Sequence, residues 1–142
     1  QLTIEYKRIT AEQIALERPE QYDIVTCLEM LEHVPDPAAI VNACANLCKP
    51  GGHLYFATIN RNPKSYLFAI IGAEHILRLL PKGTHDYEKL IKPSELHHWI
   101  RASGLSLKDS TGMTYNPLTQ QYKLKSNNLD VNYLLHAIKP IS

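Results

Sequence analysis

The chain has 142 residues, which suits one domain or part of one. A 44% hydrophobic content with a net charge of +1 supplies a core and excludes disorder. The near balance of 15 basic and 14 acidic residues excludes a binder driven by phosphate neutralisation, so no nucleic acid is expected as a partner.

Cys27, Cys44 and Cys48 follow no framework spacing and point to reduced thiols in a cytosolic compartment. Cys44 and Cys48 stand one helical turn apart and read as small core-side residues, since a soft-metal site needs further ligands nearby. No secretory signal opens the chain. Leu2, Ile4 and Tyr6 alternate with polar neighbours and predict a strand. A start without Met inside a strand pattern predicts that residues precede it. Thr10 suits the N-cap of a short helix to about Arg18, ended by Pro19-Glu20-Gln21. Tyr22 to Leu28 reads as a buried strand, because β-branched and apolar residues run almost without alternation. Asp36 caps a helix that begins at Pro37 and carries Ile40, Val41, Cys44 and Leu47 at helical spacing. Lys49-Pro50-Gly51-Gly52 closes it, and Leu54 to Ile59 is another apolar strand. Strands and helices alternating at this interval predict an α/β fold, built of right-handed βαβ units around a parallel sheet.

The second half departs from that pattern. Residues 65–80 predict an unusually apolar helix, and Lys82 to Lys92 a polar connector. Pro93-Ser94-Glu95 opens a helix through Ala102, with Leu96, Trp99 and Ile100 on one side and Gly104 as its stop. Two final strands are expected near Leu105–Tyr115 and Val131–Lys139, with Asn127-Asn128 in the turn region between them.

Several of these stretches together carry a family resemblance. Tyr22 to Cys27, followed by Leu31-Glu32-His33-Val34-Pro35-Asp36-Pro37 and Leu47-Cys48-Lys49-Pro50-Gly51-Gly52, resembles the strand-four, helix and strand-five signature of class I S-adenosylmethionine-dependent methyltransferases. Glu29-Met30-Leu31-Glu32-His33, Asn60-Arg61-Asn62, Gly72-Ala73-Glu74, Pro81 to Asp86, Gly112 to Pro117 and Asp130 to Leu134 narrow it. In this combination the chain resembles the ubiquinone-biosynthesis O-methyltransferases along essentially its whole length.

The resemblance implies a Rossmann-like sheet in the order 3-2-1-4-5-7-6, with residue 1 near strand three. Strands one and two are then missing. No G-x-G-x-G loop occurs here, although the family holds its cofactor with one after strand one. Residues 1–142 are accordingly expected to be the C-terminal part of one domain. Alone they are expected to be inactive and to be unstable, rearranged or oligomeric, because two raw sheet edges would be left open.

Glu29, Glu32 and His33 stand at i, i+3 and i+4, a spacing that puts three ligands on one side of a helical turn just after a strand's carboxyl end. Two carboxylates and an imidazole suit a divalent ion. The resemblance implies that these positions are the metal site, for magnesium with zinc as the alternative, where the ion would favour the phenolate of a catechol-like ring. The Leu31 to Pro37 stretch also occurs in methyltransferases without a metal, where the His packs or touches substrate; Glu29 is what favours the metal, and His33 as general base is the competing role. Leu28, ending strand four, is the implied cofactor contact, with core packing as the plainer reading. Ile9-Thr10 is a weaker candidate to border the adenine. Lys82 to Asp86 reads equally as a substrate mouth or a solvated connector, and His97-His98 as structural.

Residues 64–86 read as an apolar insertion, whose apolar stretch 65–80 has Lys64, Arg78 and Lys82 at its ends and is too short and interrupted to span a bilayer. The pattern suits an interfacial segment near anionic headgroups, with a buried helix or an oligomer contact as the ordinary alternative. The resemblance implies a polyprenylated phenol as substrate and S-adenosylmethionine as cofactor. It also implies peripheral contact with the inner face of a membrane (the mitochondrial matrix face in a eukaryote) and a ubiquinone-biosynthesis complex as partner. A methyltransferase of another small molecule without a metal, and a noncatalytic peripheral-membrane module, are the alternative functions.

Overall fold

The computed structural model describes residues 3–66, 87–116, 119–126 and 128–141. The first helix, α1 (Ala11–Glu17), starts where Thr10 accepts from the Gln13 N–H while the Gln13 side chain accepts from the Thr10 N–H. This reciprocal box satisfies two donors that a helix start otherwise leaves open. Strand β1 (Tyr22–Leu28) is followed by a 3-10 turn over Leu31–His33. Helix α2 (Pro37–Leu47) begins as the sequence dictates, with the Asp36 carboxylate accepting from Ala39 N–H at 3.0 Å and Pro37 in the first turn. Strand β2 (Cys48–Ile59) leaves the helix through Gly51, whose φ of +79° favours glycine. The short α3 (Pro63–Ser65), a 3-10 turn at Tyr87–Lys89, α4 (Pro93–Ala102), β3 (Ser106–Asn116), β4 (Gln121–Lys125) and β5 (Asn132–Ile138) follow.

The sheet order is β1-β2-β5-β3-β4. The first four strands reproduce the 4-5-7-6 stretch of the expected family order. Only β1 and β2 are parallel; β2–β5, β5–β3 and β3–β4 are antiparallel. The parallel-sheet expectation therefore holds for the β1–α2–β2 unit alone. Past β2 the chain no longer alternates strand with helix, and β3 and β4 are joined by the kind of short connection that antiparallel neighbours allow. Helices α2 and α4 cover one face, where Ile40, Val41 and Cys44 meet Leu54, Phe56, Leu96, Ile100, Tyr133 and Leu135 in one buried cluster. On the opposite face, His53, Tyr55 and His136 are half-buried and Ile24 and Leu28 exposed.

Three elements differ from expectation. Residues 3–6 form no strand and are exposed, because a strand exists only through a ladder partner and none of the described residues supplies one. Strand β1 is not buried: Ile24 is 60% and Leu28 51% exposed, and only Cys27 is buried, since β1 is the outer strand of the sheet. The final region holds three strands rather than two. The unforeseen β4 is exposed at every position, so no buried face left a signal in its sequence. The apolar stretch expected to be helical at 65–80 lies mostly outside the described residues, as do His85 and Asp86.

Candidate active site

Ligands of open α/β sheets gather at the carboxyl ends of the strands, and the chain's unusual backbone and side chains lie there too. Leu28 ends β1, and the next residue turns sharply: Glu29 takes a φ of +51° while its N–H donates to Ala57 O at 2.9 Å. A left-handed non-glycine residue costs on the order of 1 kcal/mol and persists only where the surroundings enforce it. This reversal lets the 3-10 turn fold back toward β2. Leu31 then plugs the core with no exposed surface, and Glu32 is carried inward beside it, 3% exposed.

Glu32 meets Thr58 on the neighbouring strand. The Thr58 hydroxyl, itself fully buried, donates to Glu32 Oε2 at 2.7 Å. The other oxygen, Oε1, is buried without a hydrogen-bond partner. A buried carboxylate oxygen with no donor costs more than an ordinary hydrogen bond gains, which makes Oε1 a candidate contact point for a donor. Tyr133 stands nearby in β5, its hydroxyl donating to Ile91 O at 2.9 Å. Burial, and after it the carboxylates of Glu95 and Glu32, push the Tyr133 phenol well above its ordinary range, so it stays a neutral donor.

Two openings lie in this part of the fold, one bordered by Met30 and the other by Val34. The larger, about 610 Å³, runs beside β1 and is lined in part by Ile9, Thr26, Cys27, Leu28, Met30 and Cys44. Leu28 and Ile9, the two positions expected at the cofactor, thus border one cavity. Thr10, paired with Ile9 in that expectation, instead caps α1. Cys27 and Cys44 meet within the same cavity wall. Their mutual hydrogen bond lowers the Cys27 thiol, while that bond and burial push Cys44 far up. The smaller opening, about 230 Å³, lies between Val34, Pro35, Arg61, Leu90, Glu95 and Trp99. Arg61 is held there by the Glu95 carboxylate and by Glu88 O at 3.0 Å, which ties the end of β2 to α4.

The sequence-derived triad is separated by this geometry. A regular helical turn from Glu29 to His33 would align all three, but the helix begins only at Leu31 and is of the tighter 3-10 kind. Glu32 points inward, whereas Glu29 and His33 are exposed. Among the described residues no three His, Cys, Asp or Glu side chains stand close enough to hold a metal. One oxygen of Glu32 suits a cation; the donor set as arranged does not fit one. His97 packs toward Ser110 at 3.3 Å, in keeping with a structural role. Thr58, Tyr133 and the Arg61–Glu95 pair were not singled out by the sequence. The one available signal was a hydroxyl, Thr58, inside the apolar run from Leu54 to Ile59.

Residues 4–109 match the methyltransferase domain model. Among curated proteins, the ubiquinone biosynthesis O-methyltransferase of Acinetobacter baylyi is 66% identical over 96% of this chain and 57% of its own length. That of Stutzerimonas stutzeri is 63% identical over 97% of this chain and 59% of its own length. The chain thus spans a little over half the length of these relatives. Among solved structures, a methyltransferase dependent on S-adenosylmethionine from Thermotoga maritima superposes with a TM-score of 0.63 at 14% identity, covering 86% of this chain and 58% of that one. Magnesium protoporphyrin IX methyltransferase from Synechocystis gives 0.54 at 19% identity, covering 88% and 48%. Both likenesses bear on the fold alone.

Proposed function

The chain belongs to the methyltransferase domain family, and on that premise we propose that it forms the C-terminal part of an S-adenosylmethionine-dependent O-methyltransferase acting on a polyprenylated phenol in ubiquinone biosynthesis. The names of its longer relatives support the substrate class. The observation that carries the chemistry is the buried Glu32 carboxylate, with one oxygen fixed by Thr58 and the other awaiting a donor at the carboxyl end of the parallel strands.

The cofactor supplies an electrophilic methyl carbon on a sulfonium. Bound beside Leu28, that carbon would be open to in-line displacement by a phenolic oxygen, with the bonding electron pair passing to the sulfur. The protein's share is to place the oxygen and draw off its proton. In this reading Leu28 lines the cofactor side of the larger cavity, and Glu32 Oε1 accepts the hydrogen bond of the ring hydroxyl. His33 is the rival acceptor.

A divalent ion held by Glu29, Glu32 and His33 would favour the phenolate of the ring hydroxyl. A metal-independent methyltransferase of another small molecule is the second reading. Contact with the inner face of a membrane is part of this reading, supported by the apolar sequence of residues 65–80 together with Lys64, Arg78 and Lys82. Among the described residues no helix is long and apolar enough to cross a membrane.

The test is a chimaera in which residues 1–142 replace the matching C-terminal segment of the longer Acinetobacter relative. Incubated with labelled S-adenosylmethionine and a prenylated catechol, it is expected to transfer one methyl group to oxygen. Transfer to nitrogen or carbon only, or no transfer, would overturn the assignment.

A further inference from the structure

We propose that Thr58 is a positioning residue for methyl transfer, selecting which oxygen of Glu32 is presented to the acceptor substrate. This inference rests on the reading of Glu32 given above. A carboxylate offers two chemically equal oxygens, and in an unconstrained side chain either can turn toward a ligand. Here they are unequal. Oε2 receives the Thr58 hydroxyl at 2.7 Å, while Oε1 has no hydrogen-bond partner. Both residues are almost wholly withdrawn from water, so no solvent competes for either oxygen.

The backbone around the pair is fixed from both sides. Thr58 pairs with Tyr133 across to β5, and Leu28 pairs with Ala57 across to β1. The Glu29 N–H donates to Ala57 O immediately before the turn that carries Glu32. The donor therefore sits on a strand interior, whereas the acceptor sits on a tight turn reached through a left-handed residue. The strand sets the turn's carboxylate, not the reverse.

Threonine has two groups at Cβ, and the inference concerns only one of them. Thr58→Ser keeps the hydroxyl and loses the methyl; Thr58→Val keeps the shape and loses the donor. In the chimaera, Thr58→Ser is expected to stay within about twofold of the parent in kcat/KM for the phenol. Thr58→Val is expected to lose roughly tenfold or more, as for a hydrogen bond to a charged group. Cofactor affinity should be unchanged in both. In a Glu32→Gln background the valine substitution should have little further effect, because its partner is already altered.

The converse pattern, valine active and serine impaired, would show that packing of the methyl matters and would overturn the proposal. So would losses at Thr58 and Glu32 that simply multiply. Thermal melts of the same set separate this inference from the functional reading. An inactive parent chimaera refutes the functional reading, while non-additive melting shifts at 58 and 32 would still establish the bond. If the melts are coupled but serine and valine variants turn over equally, the bond is structural and the positioning role is refuted.

Discussion

Removing one oxygen from the core tests how the site is held together. Tyr133 has no exposed surface, and its hydroxyl donates to Ile91 O at 2.9 Å, while Ile91 N–H donates to Ile59 O at 3.1 Å. These two bonds stitch the segment after Lys89 to β5 and β2, and Leu90 and Ile91 line the smaller opening. Tyr133→Phe leaves the ring, and so the packing, in place. It deprives a buried carbonyl of its donor, at a cost of about 2 kcal/mol. In a domain of the chimaera's size that lowers the melting temperature by roughly 6 °C. Calorimetry reads the shift, and amide exchange at residues 88–92 should accelerate. A Tyr133→Phe variant melting within 1 °C of the parent, with unchanged exchange, would refute the claim that this bond anchors the segment.

Other expectations follow from single contacts. His53 Nδ1 and His136 Nε2 stand 2.9 Å apart, with His136 stacked on Tyr55, so substituting either imidazole should cost about 1 kcal/mol and substituting both should cost little more; additive losses in denaturant melts would contradict a shared bond. Thr10→Ala removes one arm of the α1 capping box and should cost about 1 kcal/mol, a loss that Thr10→Asp largely restores. Burial, and after it the charge of Arg101, lower the His97 pKa. The unfolded chain then binds more protons than the folded one just below the ordinary imidazole value of about 6.5, so stability should rise with pH through that window, and His97→Gln should flatten the rise. Chelation should leave methyl transfer by the chimaera intact if the arrangement of Glu29, Glu32 and His33 persists in it; loss of activity restored by magnesium would mean that the three converge.

The parts of the fold legible in the sequence were those whose signal is local. Thr10 and Asp36 announce caps through side chains that reach three residues on, and the α2 and α4 faces repeat at helical spacing. The β1–α2–β2 unit was legible because its strands are apolar and its breaks contain proline and glycine. What failed was non-local. Residues 3–6 have strand-like alternation but no ladder to join. Ile24 and Leu28 look like core residues, yet the position of β1 at the sheet edge leaves them exposed. At the site, the i, i+3, i+4 spacing of Glu29, Glu32 and His33 assumed a regular helical turn, where the backbone has a left-handed Glu29 and a 3-10 turn; their role as metal ligands is left to the chelation experiment. Thr58 and Tyr133 were invisible as site residues because their roles arise only when β2 and β5 bring them to Glu32 and Ile91.

In the proposed function this chain supplies one side of a cofactor site, and the segment that its longer relatives have in addition supplies the rest. Calorimetric titration with S-adenosylhomocysteine tests it most directly, comparing residues 1–142 alone with the chimaera. No measurable binding is expected of the chain alone, and one-to-one binding of the chimaera, weakened by Leu28→Arg at the cavity wall. Equal binding by both proteins, or binding by the chimaera that is indifferent to residue 28, would contradict it.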